Sequence, residues 1–319
     1  MKKLLFACAL AALALPVLAK TDALSLIPND AVSVGLVRIS DMRSSPLSST
    51  LFQQTDKISA NGDAEEFLRD AGLQPTRDID LVMVATSPRT TLGHDADVLV
   101  AAEGRFNVDR LTRALVTRGA EKRSNANGTY FILPKREDAS DERGAVAFAD
   151  SHLALVGTQA AVLDALANRA AGGTSFATAS GLGRELSRID PHATAWALVD
   201  IARAQRLTGG AHIPSHGATQ ALSSALKSVS TVALWATDNG DQLKLGGFGL
   251  SNDPETLQLL EDTVRGALAA MRLAAQDKSP DLVSTLRRFT VSRTDNSVTI
   301  SGTVPAETIR GFAHRPPVR

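Results

Sequence analysis

The sequence predicts an α+β fold of two tandem lobes, each an antiparallel or mixed sheet covered by helices and related to the ferredoxin-like type. Three observations predict it. Short segments alternate apolar and polar residues with a period of two, as half-buried strands do. Amphipathic helical segments separate them. The segment PHATAWALVDIARAQRL, 191 to 207, has the shape of NDAVSVGLVRISDMRSS, 29 to 45. Each opens on a turn-like pair, runs on as an apolar strand and ends in a charged stretch that starts a helix.

The elements follow in order. Ala31 to Ile39 is the first strand. A helix ends at Gly72, with Asn61 or Asp63 as its cap. Residues 79 to 87 and 96 to 106 form a hairpin. Residues 108 to 119 form a helix with Leu111, Leu115 and Val116 on one side and Gly119 at its end. Strands at 129 to 133, 145 to 149 and 152 to 157 come next, then a helix at 159 to 170. The second half runs similarly. It has strands at 194 to 201 and 229 to 237, an Asp238–Asn239–Gly240 turn and a strand at 242 to 251. A long helix over 254 to 275 has Pro254 in its first turn and Asn252 or Asp253 as its cap. The closing hairpin pairs 288 to 293 with 297 to 302. Gly157–Thr158 matches Gly302–Thr303, and Gly104 matches Gly249. A tandem duplication is the expectation. Sequence alone leaves open whether the lobes join sheets or pack side by side, with helices on one side of each sheet.

The ends fix a compartment. Lys2 and Lys3, the apolar run Leu4 to Leu15, and Val17 and Ala19 before Lys20 make residues 1 to 19 a secretory signal peptide. The expected divisions are a first lobe at 20 to 171, a linker at 172 to 187, a second lobe at 188 to 312 and a disordered tail at 313 to 319. Localisation is then periplasmic or secreted, with no transmembrane segment in the mature chain. The single cysteine, Cys8, lies in the leader, so the mature chain has no disulfide and no thiolate chemistry.

Composition argues against several function classes. Lys and Arg number 34 against 34 Asp and Glu, without the basic excess of nucleic-acid binders. Aromatics are only 4% of the chain, which disfavours stacking sites for sugars. His212 and His216 stand four apart, but Gly209, Gly210 and Pro214 deny them a shared helix face, so no metal is expected. His152 and His192 begin strands, and His94 and His314 lie in a loop and the tail. Ser224 and Lys227 fit the loose Ser-x-x-Lys pattern, without its companion motifs. The glycines of LGGFG, 245 to 249, point to close packing within a strand rather than to a phosphate loop. The charge run 134 to 144 is a solvated loop. No catalytic residue and no cofactor is expected.

Trp196 and Trp235 alternate with core positions such as Leu198 and Leu234 and are first of all core, secondly the lining of a shared pocket. Glu103, Arg105, Asp200 and Arg203 are the charged groups nearest strand ends, where sites often lie. These six residues are the candidate binding residues.

The turn Leu26 to Ala31 ahead of the first strand, and the strand, Gly-Thr and Ala-rich helix unit of 152 to 169, give the chain a resemblance to exported, two-lobed proteins of Gram-negative bacteria. That resemblance implies a soluble envelope protein and brings no catalytic residues. The expected function is non-enzymatic binding of a partner protein or small ligand at the lobe interface. The alternatives are an enzyme with a site dispersed in sequence, and a purely structural envelope protein.

Overall fold

A computed structural model describes residues 22–43, 45, 47, 63–89, 96–135, 143–173, 176–179, 181–207, 229–276 and 279–313. The expected leader with Cys8, the loop with His94, the His212–His216 pair, Ser224 to Lys227 and the tail with His314 lie outside the described residues.

Among the described residues, twelve strands form a single sheet. They are β1 (Ser33–Arg38), β2 (Ile79–Pro88), β3 (Ala96–Gly104), β4 (Glu121–Asn125), β5 (Gly128–Ile132), β6 (Gly144–Phe148), β7 (Leu153–Thr158), β8 (Ala195–Asp200), β9 (Thr231–Asp238), β10 (Gln242–Leu250), β11 (Thr290–Arg293) and β12 (Ser297–Pro305). Their order is β11-β12-β10-β9-β8-β1-β2-β3-β7-β6-β5-β4. Every neighbouring pair is antiparallel. The halves therefore join edge to edge through β1 and β8, with Leu36 opposite Trp196 and Gly35 opposite Ala197. Outward from that seam the order is β1, β2, β3, β7, β6 on one side and β8, β9, β10, β12, β11 on the other.

Among the described residues, the longer helices are α1 (Asp63–Ala71), α2 (Val108–Thr117), α3 (Gln159–Ala170), α4 (Ile201–Leu207), α5 (Pro254–Ala275), α6 (Pro280–Arg287) and α7 (Ala306–Ala313). Local chemistry fixes several ends. The Asn107 side chain accepts from the Arg110 backbone N–H at 3.0 Å and starts α2. Gly119, at φ 84°, ends it, and the Ala120 N–H closes back on the Leu115 carbonyl. Asp253 caps α5, accepting from the backbone N–H groups of Glu255 and Thr256, with Pro254 in the first turn. Along α5, Leu257, Leu260 and Leu268 are buried on one stripe, with Val264 packed beside them.

Helices cover both sides of the sheet, which corrects the expectation that they keep to one. On the front face, Leu36, Met83, Ala101, Leu155, Trp196 and Leu198 are buried beneath α3 and the turn Asp22–Leu26. Phe176 and Leu182 join the same core. They come from the expected linker 172–187, which folds into the short helical turns Phe176–Ala179, Gly181–Arg184 and Glu185–Arg188. On the back face, α1 and α2 pack near Ala102, Phe131, Val146 and Ala154, and α5 and α6 pack near Val291, Val298 and Ile300. The strands need two apolar faces for this, and they have them: β2 reads LVMVA through its centre.

Candidate functional site

The six candidate binding residues do not gather into one site. Glu103 accepts the Ala23 backbone N–H at 2.7 Å and so anchors the turn Asp22–Leu26 over the front face. Arg105 donates from Nη2 to the Arg77 carbonyl at 2.8 Å, tying the end of β3 to the helical turn Pro75–Asp78. Asp200 accepts the Arg203 backbone N–H at 2.9 Å and starts α4. Arg203 itself donates from Nη2 to the Asp30 carbonyl at 2.6 Å and from Nη1 to the Ala31 carbonyl at 3.5 Å. A side chain of the second half thereby holds the turn that precedes β1 of the first. All four charged groups serve packing and chain direction.

The two tryptophans stand together. Trp196 on β8 is directly opposite Trp235 on β9, both on the front face. Trp196 is 8% exposed and Trp235 packs against the same core. The Trp235 and Phe248 ring centroids are 6.1 Å apart with planes tilted by 54°. Gly246 pairs with Trp235, and a Cβ on it would meet the indole at 2.3 Å. The glycine-rich LGGFG run is thus a seat for an indole ring, as close packing requires.

The feature with the character of a site lies on the opposite face, at the seam between the halves. One cross-strand row runs Val156, Val100, Val84, Gly35, Ala197, Leu234, Gly247 over seven neighbouring strands. It holds no polar side chain. Val156, Val84 and Leu234 are 40, 38 and 59% exposed, and Val37, the next back-face residue on β1, is exposed too. Between Val84 and Leu234 the two small residues Gly35 and Ala197 make a depression two strands wide. A Cβ on Gly35 would touch only the Trp196 carbonyl, at 3.7 Å, an ordinary contact. Val100 is half-buried and Gly247 buried, so the exposed part of the row runs from Val156 to Leu234, five spacings of about 4.8 Å or roughly 24 Å. Exposed aliphatic side chains grouped in this way mark interaction sites.

Sequence reasoning passed over this row because it placed one face of each strand in the core and assigned the other to water. The available signal was the unbroken apolar run of β2 and of VALWA in β9, which asks for cover on both faces.

Among the described residues, no group of three or more His, Cys, Asp or Glu side chains is placed to hold a metal ion. Among them, too, no helix is long and apolar enough to cross a membrane.

No protein-family model matches the chain, and no curated protein matches it. Solved structures do. TP0453 in crystal form I superposes with a TM-score of 0.50 at 10% identity, over 93% of this chain and 100% of that one. Crystal form IV of TP0453 gives 0.49, also at 10% identity, over 92% and 96%. At this identity the likeness describes the fold alone: a mixed α+β chain built on an antiparallel sheet.

Proposed function

We propose that this chain is an exported, non-enzymatic binding protein. Its seam between the two halves receives an amphipathic helix of a partner protein, apolar side down. The observation that supports the reading is the exposed aliphatic row on the back face. From Val156 to Leu234 its length of roughly 24 Å equals that of a helix of about 16 residues. Its composition selects the occupant: with no hydrogen-bonding side chain in the row, a polar ligand would lose its water for nothing. Gly35 and Ala197 offer a hole for one large side chain between the ridges of Val84 and Leu234, the way a knob enters a hole. Export follows from the leader, and a duplicated origin accounts for the matching strand order of the two halves.

The test uses the full mature protein in its own cell envelope. A photo-crosslinking residue at Ala197 is expected to capture one protein through an amphipathic helical segment, identified by mass spectrometry of the joined peptides. The same probe at the exposed Arg288 is expected to capture none. Gly35→Val fills the hole without a backbone clash and should abolish capture from Ala197. Capture that survives Gly35→Val, or no capture at all, sinks the reading.

A further inference from the structure

The α1–α2 corner carries a second, chemically different feature. Arg110, Arg113 and Thr117 recur at helical spacing along one side of α2 and, with Arg118 and Asp70, line a cavity of about 310 Å³. Arg118 is neutralised: its Nη2 meets Asp70 Oδ2 at 2.9 Å and Glu66 Oε2 at 3.5 Å, and its guanidinium lies 5.8 Å from the centre of the Phe67 ring. Arg110 and Arg113 are not. Among the described residues neither has a carboxylate within salt-bridge distance. Arg110 donates from Nη2 to the Asp70 carbonyl at 3.3 Å, and Arg113 donates from Nε to the Asp109 carbonyl at 3.3 Å. Each guanidinium keeps further N–H groups for another acceptor.

Two like charges three residues apart on a helix cost stability unless something opposite meets them. From Val108 to Arg123 there are five cations (Arg110, Arg113, Arg118, Lys122, Arg123) against two carboxylates (Asp109, Glu121), and α1 beside them brings four carboxylates (Asp63, Glu65, Glu66, Asp70) against Arg69, of which Glu66 and Asp70 are taken by Arg118. Gly72 ends α1 at φ 65°, and the Arg110 guanidinium lies against it, where a Cβ would stand 2.5 Å from Cζ.

From this we infer that Arg110 and Arg113 form a binding site for a phosphate-class oxyanion, gripped by the two guanidiniums with the Thr117 hydroxyl at its edge. Planar guanidinium forks match tetrahedral oxyanions, and two of them supply the charge that one phosphate needs. The anion is either free phosphate or the phosphate of a small phosphomonoester.

The experiment follows the Arg110 and Arg113 Nε–H resonances of the mature protein during titration with inorganic phosphate and, separately, with glycerol phosphate. Saturable shifts in both are expected. Tighter binding of the ester assigns the site to a phosphomonoester, and equal or tighter binding of inorganic phosphate assigns it to the free ion. Arg110→Gln or Arg113→Gln should each weaken binding about tenfold, and Arg110→Lys less than Arg110→Gln, because charge remains while the fork is lost. Arg123→Gln, at the sheet edge, should change little. Both target side chains are exposed, so the variants are expected to keep the native melting temperature, which is checked alongside. Absence of saturable shifts with either probe, or unchanged affinity in the Arg110→Gln, Arg113→Gln double variant, overturns the site. The double variant should still crosslink from Ala197, so failure here and failure of the seam are separable.

Discussion

Trp235 lies over Gly246, its direct partner on the neighbouring strand, so closely that a single added methyl would stand 2.3 Å from the indole. The contact joins β9 to β10 and sets the position of Trp235 beside Trp196 and Phe248. Gly246→Ala is expected to destabilise the protein by about 1–3 kcal/mol, the range for overpacking a formed core. Urea denaturation measures the loss. Tryptophan emission should also change, since the ring has to move. An unaltered midpoint and spectrum would show that the indole does not depend on the glycine.

Gly35 provides the contrast. It too sits in a central strand, but a Cβ there meets nothing nearer than 3.7 Å. Gly35→Val is therefore expected to fold with a denaturation midpoint at or above the parent's, because a β-branched residue suits a strand and glycine weakens one. The same substitution closes the depression at the seam. Stability and partner capture should thus move independently, which no purely structural role for Gly35 allows.

Arg203 should matter more than an exposed arginine usually does. Its guanidinium bonds the carbonyls of Asp30 and Ala31, so it fastens the start of β1 to α4. Arg203→Ala is expected to cost about 1 kcal/mol, scaled down from the charged hydrogen-bond range because the site is partly exposed. Hydrogen exchange is expected to quicken first at the amide of Ala31, whose bond to the Pro28 carbonyl closes that turn. Uniform acceleration over the whole sheet would argue against a local clasp.

Acid should weaken the chain partly through Asp78. The Arg77 guanidinium donates to both of its oxygens, and with the Gln74 backbone N–H it holds the carboxyl below the usual carboxylate range. A carboxylate with a lowered folded-state pKa stabilises above its unfolded value, and that stabilisation is lost as pH falls through the folded value. Asp78→Asn should therefore lower the melting temperature at neutral pH and flatten its decline on the acid side, below about pH 4. An acid limb of the same slope in the variant would remove Asp78 from the account.

Solvent-facing changes along the row make the last prediction. Val84→Gln and Leu234→Gln remove exposed aliphatic surface, so each should shift stability by no more than about 0.5 kcal/mol. Each should nonetheless reduce capture from Ala197. Large destabilisation in either would mean that the row is covered in the folded chain.

The amino-acid sequence by itself determined the local elements, because caps, breakers and periodicity act over a few residues. The Asn107, Asp253 and Thr158 starts and the Gly72, Gly119 and Gly240 turns need no distant partner. It also determined that the strands carry more apolar surface than a one-sided sheet can bury. Some elements escaped it. β4 has five exposed residues and no apolar alternation, so only its pairing with β5 makes it a strand. The helix α6 begins at Pro280 and packs Leu286 against α5 and β11. Matched sequence positions also hide unlike neighbours: Gly104 avoids the Asp78 carbonyl, whereas Gly249 makes room for Leu260. Tertiary structure alone decided that the halves join through β1 and β8. It alone placed Gly35 and Ala197 side by side and brought Asp70 of α1 to the side of α2 that carries Arg110 and Arg113. The physical reason is common to all three. Strand pairing and helix docking bring together residues far apart in the chain, and their energetics depend on shape and burial, which a linear pattern does not carry.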